Sequence, residues 1–188
     1  DAAVKAKTGS GKTLAFGLGA LQSLIKAQEA GHSGVHTLVL CPTRELAQQV
    51  AEQLRLLAKH HANTKILTLV GGISIGPQIA SLVHAPSVVV GTPGRVMDLI
   101  SKQKLDVSAV KTLVLDEADR ILDMGFTDQM DAILKALPKP RQSMLFSATF
   151  GNSIEQLTKQ YLHKAAIIEV EDNKQHSQIT QKAYQLQD

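Results

Sequence analysis

A single cysteine, Cys41, stands in 188 residues. That excludes an intrachain disulfide and any zinc site built on several thiolates. Tryptophan is absent, with only 2 tyrosines and 4 phenylalanines. Proteins that hold single strands by stacking use aromatic platforms, so the chain is poorly equipped for that mode, and a nucleic acid held here would be held by its backbone. No apolar run approaches the roughly 20 residues of a membrane span, and no signal-peptide pattern opens the chain. Neither sign of charge dominates: Lys and Arg number 20 and Asp and Glu 17, giving +3 and a pI near 9.0. Such a balance permits contact with a polyanion without requiring it. A soluble, cytoplasmic protein of a reducing compartment is expected.

What is present is ordinary globular usage, 44% hydrophobic and 20% charged, in a length that suits one domain burying roughly 70% of its unfolded surface. Short apolar runs alternate with helical patterns, the signature of βαβ units and an open, mostly parallel sheet with helices on both faces. Strands are expected at Ala2–Ala6, Thr37–Cys41, Lys65–Val70, Ser87–Val90, Thr112–Leu115 and Ser143–Phe146, with an edge strand near Ala166–Val170. Their unbroken apolar character, as in Leu38-Val39-Leu40, suits strands covered on both sides. Helices are expected at Lys12–Gln28, Arg44–Lys59, Gly76–Val83, Gly94–Lys102, Thr127–Leu137 and Ser153–Tyr161. In the second, Leu46, Val50, Leu54 and Leu57 form one stripe and Thr43 stands at the N-cap position. Residues 1–171 read as one domain. The polar, Gln-rich 172–188 reads as an exposed strand or the start of a linker. A chain that opens at Asp1, a few residues from a motif, is expected to be a piece of something longer.

The first chemical signal is Ala6-Lys7-Thr8-Gly9-Ser10-Gly11-Lys12-Thr13, between a strand and a helix. Glycines let successive N–H groups turn toward phosphate oxygens, and the helix adds its positive end. Lys12 reaches the outer phosphates and the Thr13 hydroxyl suits Mg²⁺. The pattern departs from the strict P-loop in having Ala6 where a glycine is usual. The second signal is Asp116-Glu117-Ala118-Asp119, directly after Thr112–Leu115. An acid ending a buried strand needs a positive partner; Mg²⁺ held by Asp116, through water, supplies one. Glu117 is then placed to deprotonate an attacking water.

In an open parallel sheet, ligands bind outside the carboxyl ends of the strands. Those ends carry the P-loop, Pro42-Thr43-Arg44, Gly71-Gly72, Gly91-Thr92-Pro93-Gly94-Arg95, the acid tetrad and Ser147-Ala148-Thr149. One rim with two sites is expected, one for nucleotide and one for a second anionic ligand.

AKTGSGKT, PTRELAQQ, GG, TPGR, DEAD and SAT, in this order and spacing, make the chain resemble the first RecA-like domain of DEAD-box RNA helicases over nearly its whole length. LVLCPTRELA, NTKILTLVGG, HAPSVVVGTPGR and DEADRILDMGF are most similar to the bacterial DbpA-type branch, which acts on large-subunit ribosomal RNA. The resemblance implies ATP bound by Thr8, Gly9, Ser10, Gly11, Lys12 and Thr13, Mg²⁺ at Thr13 and Asp116, and catalysis by Lys12, Asp116 and Glu117 with Glu117 as base. It implies that Asp119, Ser147 and Thr149 couple hydrolysis to unwinding. Pro42, Thr43, Arg44, Gly72, Thr92, Gly94 and Arg95 would contact the RNA backbone. It also implies an upstream adenine-reading segment and a second RecA-like domain as partner, neither within this sequence, so the piece alone should bind nucleotide weakly and turn it over negligibly. Ribosomal RNA or pre-ribosomal particles are the implied partners.

Two other readings stay open: an ATP-gated RNA clamp with little turnover, and a DNA translocase of the same superfamily. Composition does not separate RNA from DNA. The seven histidines read as solvated surface, Cys41 as a small core residue, and Met124 and Phe126 as core anchors. Arg120 and Asp123 read as a local pair, and Lys102 and Lys104 as a solvated loop, with a minor phosphate contact as the alternative.

Overall fold

The computed structural model of the chain describes residues 1–7 and 9–170. Thr8 and the expected edge strand or linker at 172–188 lie outside the described residues. Among the described residues seven strands form the sheet: β1 (Ala2–Lys5), β2 (Thr37–Leu40), β3 (Ile66–Leu69), β4 (Val88–Gly91), β5 (Thr112–Leu115), β6 (Gln142–Ser147) and β7 (Ala166–Glu169). Their spatial order is β3-β4-β2-β5-β6-β1-β7 and every pairing is parallel. All six expected strands and the further edge strand are present within a residue or so of their bounds, with β3 at one edge of the sheet and β7 at the other. The helices are α1 (Lys12–Glu29), α2 (Arg44–Leu57), α3 (Gly76–Leu82), α4 (Pro93–Ser101), α5 (Ala118–Asp123), α6 (Thr127–Ala136) and α7 (Asn152–Tyr161). Only α5, a single short turn-and-a-half, has no counterpart in the sequence reading.

The strand period of two divides the apolar runs between two cores. Leu38, Leu40, Val89, Leu113, Leu115 and Leu145 face one side, packing with Val96, Leu99, Ile133 and Leu157. Val39, Cys41, Val88, Val90, Val114 and Phe146 face the other, against Phe16, Leu24, Val50 and Leu54. Cys41 is fully buried, and burial, with Asp116 and Glu117 nearby, holds its thiol well above the usual range. It is core, as expected. The cap on α2 also forms, with Thr43 accepting from the Leu46 N–H at 3.2 Å.

Three side chains depart from the reading. Met124 is half exposed and anchors nothing, because the turn after α5 carries it outward; Phe126 does pack against the core. Arg120 reaches back to Glu117 at 2.7 Å rather than to Asp123. His36 is 1% exposed, held between the Thr37 and Ser23 hydroxyls at 3.0 and 3.4 Å, so it is not solvated surface. A strand-entry position leaves it no route to solvent. Burial first, then the nearby His32 and Lys111, lowers its pKa from 6.5 to about 4.

That shift sets a pH dependence. Between pH 6.5 and 4 the unfolded chain protonates His36 while the fold resists, so this contribution is intact above pH 6.5 and is lost as pH falls to 4. The loss amounts to about 3 kcal/mol. Melting profiles of wild type and His36→Asn should converge as pH falls through this window, the difference between them isolating this one group. Parallel profiles from pH 7 to 4 would refute the assignment.

Candidate active site

All strands run the same way, so every motif that follows a strand reaches one edge. On that edge the β1–α1 loop curls through Gly9 at φ +83° and Gly11 at φ +88°. A Cβ on either would meet nothing within 4 Å. Glycine is therefore needed there for the left-handed backbone, not for space. Gly11 caps α1 without any side-chain bond, leaving the helix N–H groups facing the loop. Ala6 is buried with its N–H on the Ser147 carbonyl at 3.0 Å, and it does not need positive φ. The departure from the strict P-loop at Ala6 is thus accommodated. Lys12 Nζ lies across the loop, donating to the Ala6 carbonyl at 2.9 Å.

Gly9, Gly11, Lys12 and Thr13 share a cleft of about 540 Å³ with Asp116 and Glu117. The far wall is formed by Leu14 and by Leu46, Gln49, Gln53, Leu56 and Leu57 of α2. Sequence reasoning missed this wall. Its signal was Leu14 and Leu56, helix leucines off the buried stripe, which stand 50% and 72% exposed.

Asp116 is buried at the end of β5, its Oδ1 accepting from the Glu117 N–H at 3.1 Å. Burial pushes its carboxyl up to about 6; Lys12 pulls the other way, while Glu117 and Asp119 raise it. Glu117 takes the left-handed conformation, φ +50° and ψ +55°, at the cap of α5, which turns its side chain into the cleft. Its Oε2 meets Arg120 at 2.7 Å.

Asp119 joins two strand ends. Its Oδ2 accepts from the Ala148 N–H at 3.1 Å, the Thr149 N–H at 3.1 Å and the Thr149 hydroxyl at 3.0 Å. Desolvation alone would raise its pKa, but bonding to Ser147 and Thr149 outweighs it and holds the carboxyl below the usual range. Ser147 donates its hydroxyl to the Thr149 carbonyl at 2.7 Å.

The remaining motifs converge on the β3–α3 loop. Gly72 has φ +72°, and a Cβ there would overlap the Arg44 guanidinium. Arg95 Nη2 donates to the Ile73 carbonyl at 3.0 Å, while its Nη1 is buried with no partner among the described residues. Thr92 Oγ1 accepts from the Gly71 N–H at 3.3 Å. Pro42 and Thr92 are buried, Thr43 half-buried, and Gly94 sits in the first turn of α4. Two arginines and several helix-end N–H groups therefore gather around one loop, a surface suited to phosphates rather than base edges.

This sheet order, with a glycine loop after β1 and an Asp-Glu pair after β5, one strand apart across β6, is that of a P-loop domain of RecA type. Residues 1–157 match the model of the DEAD/DEAH box helicase family, and the chain belongs to that family. It is 48% identical over 185 residues to the ATP-dependent RNA helicase DbpA of Escherichia coli, covering 98% of this chain and 40% of that one. With the ATP-dependent RNA helicase CshA of Listeria monocytogenes it shares 43% identity over 166 residues, 88% of this chain and 31% of that. The crystal structure of a DEAD box protein from Methanococcus jannaschii superposes with a TM-score of 0.83 at 38% identity, covering 91% of this chain and 45% of that one. The chain thus spans less than half the length of each. Among the described residues no helix is long and apolar enough to cross a membrane.

Proposed function

We propose that this chain is the first RecA-like domain of an ATP-dependent RNA helicase that separates short duplexes or remodels RNA–protein complexes, with ribosome assembly as its setting. One observation carries the reading: Lys12, Thr13, Asp116 and Glu117, drawn from two distant motifs, line a single cleft. The glycine loop and the start of α1 receive the triphosphate, and Lys12 exchanges the Ala6 carbonyl for phosphate oxygen. Thr13 and Asp116 fit Mg²⁺, because Asp116 is a buried carboxylate with no ion pair among the described residues. Mg²⁺, when bound, would offset charge on the phosphates. Glu117 accepts the proton of the attacking water once Arg120 releases it.

Asp119 links the acid tetrad to Ser147-Ala148-Thr149, giving hydrolysis a mechanical path along the rim. Arg44 and Arg95, with Pro42, Thr43, Gly72, Thr92 and Gly94, hold the RNA backbone, and a second RecA-like domain closes over both ligands. The test is steady-state ATP hydrolysis by the intact protein, alone, with single-stranded RNA, and with DNA of the same sequence. Stimulation by RNA only is expected. Equal stimulation by DNA would place the protein among the translocases, and ATP-dependent RNA binding without turnover would make it a clamp.

Within this reading, Arg95→Ala should weaken RNA binding across all sequences and lower the slope of log affinity against log salt by about 1. A loss confined to one sequence would contradict contact through the backbone.

A further inference from the structure

The edge of the sheet opposite the nucleotide rim has a composition of its own. Six loops enter strands there: 30–36 (AGHSGVH), 58–65 (AKHHANTK), 83–87 (VHAPS), 102–111 (KQKLDVSAVK), 137–141 (LPKPR) and 162–165 (LHKA). They hold lysines, arginine and every described histidine, against one carboxylate, Asp106. Asp106 is occupied with the Ser108 N–H at 2.9 Å. Asp1, which precedes β1 at the same edge, is occupied with the N–H groups of Ser143 and His163 at 2.8 and 2.6 Å. The acids of the tetrad all lie on the other edge. Placed in sheet order, these loops run from β3 to β7, six strand spacings or about 29 Å.

Lys102 is paired with Asp98 at 2.8 Å, but other cations of this edge are held by neutral acceptors. Lys65 Nζ donates to the Ser81 and His84 carbonyls at 2.5 and 2.7 Å. Arg55 Nη2 donates to the Ile66 carbonyl and the Thr68 hydroxyl, both at 3.2 Å. These acceptors carry no net charge, and Arg55, Lys59 and Lys65 make no ion pair among the described residues. With His61, Asn63 and Thr64 they line a groove of about 510 Å³ that no carboxylate enters. Helix carbonyl ends draw in some of this charge, but that pull fades beyond the last turn. Lys104, Lys111 and Lys139 lie past it.

We propose that this edge is a second RNA-backbone surface, separate from the rim, with the Arg55–Lys59–Lys65 groove at one end of it. It rests on the RNA reading above for its ligand class. A protein partner would be met by apolar and aromatic anchors, and of the exposed large hydrophobics only Val83 lies in these loops. A row of cations of which only Lys102 meets a carboxylate among the described residues suits a chain of phosphates and binds without reading sequence. The surface would hold RNA whether or not ATP fills the cleft, keeping a substrate tethered while the rim opens.

The test uses the intact protein and a labelled thirty-nucleotide oligouridylate, titrated across a salt series without nucleotide. Lys59→Glu/Lys104→Glu/Lys139→Glu changes three exposed side chains and should weaken binding roughly tenfold or more, lowering the salt slope by about 2. Binding of a fluorescent ATP analogue should be unchanged, which also reports an intact fold. Undiminished RNA affinity and slope in this variant, with Arg95→Ala still weakening binding, would overturn the proposal and leave the rim reading standing. If neither variant altered RNA binding, the rim reading would fall as well. Polyglutamate bound by wild type more tightly than RNA, and lost in the triple variant, would overturn it in favour of an acidic protein.

Discussion

Glu117→Gln in the intact protein should lower ATP turnover roughly 10²–10⁴-fold, the range expected when a positioned general base is removed, and leave nucleotide affinity close to wild type. The two halves of that expectation come from different parts of the cleft. In the proposed reading the phosphates are received by the Gly9–Gly11 backbone, the start of α1 and Lys12, none of which relies on the Glu117 side chain. Glu117 itself is turned inward by an unusual left-handed cap and is 8% exposed. Glutamine keeps the shape and an oxygen able to accept from Arg120, so the fold is preserved while the basic oxygen pair is lost. Turnover in single-cycle experiments, beside equilibrium binding of a non-hydrolysable analogue, separates chemistry from affinity. Unchanged turnover would remove Glu117 as the base.

Asp119→Asn should separate hydrolysis from unwinding. One carboxylate oxygen accepts three donors from residues 148 and 149, and the other accepts the Arg120 N–H at 3.0 Å. An amide has one acceptor oxygen and brings a donor where a donor already points. At least one bond to the β6–α7 loop or to Arg120 is lost, at about 1.5–3 kcal/mol for a bond to a charged group. Melting should fall by several degrees. Strand separation per ATP consumed should fall much further, because the rim loses its link between the acid tetrad and Ser147-Ala148-Thr149. A variant that melts earlier but unwinds with wild-type efficiency per ATP would confine Asp119 to a structural role.

The elements were legible where the chain's own periodicity decides them. Leu38-Val39-Leu40 and Val88-Val89-Val90 are apolar at every position because both faces of their strands are covered. The single edge for all motifs followed from parallel strands. What sequence could not supply were side-chain directions that depend on neighbours distant in the chain. The half-exposed position of Met124 follows from α5, which is too short to give a periodic signal. His36 looked like one more polar loop residue, and only the packing of the strand entries shuts it away. The partnership of Arg44 with Gly72 and of Arg95 with Ile73 crosses loops 28 and 22 residues apart, and no local pattern encodes it. The cleft wall from α2 was hidden for a different reason: Leu56 and Gln53 lie on a helix face that local rules assign to solvent.

The place of β1 in the sheet bears on how the chain reaches its structure. Ala2 pairs with Met144 on one side and Ala166 on the other. Among the seven described strands, the earliest in the sequence is thus flanked by the two latest. Contacts of such long separation form late and slow the search for the native state. Until β6 and β7 have been synthesised, the phosphate loop hangs from an unpaired strand. The proposed nucleotide cleft is therefore among the last features of this domain to form, and ATP would be held only by copies whose sheet is complete.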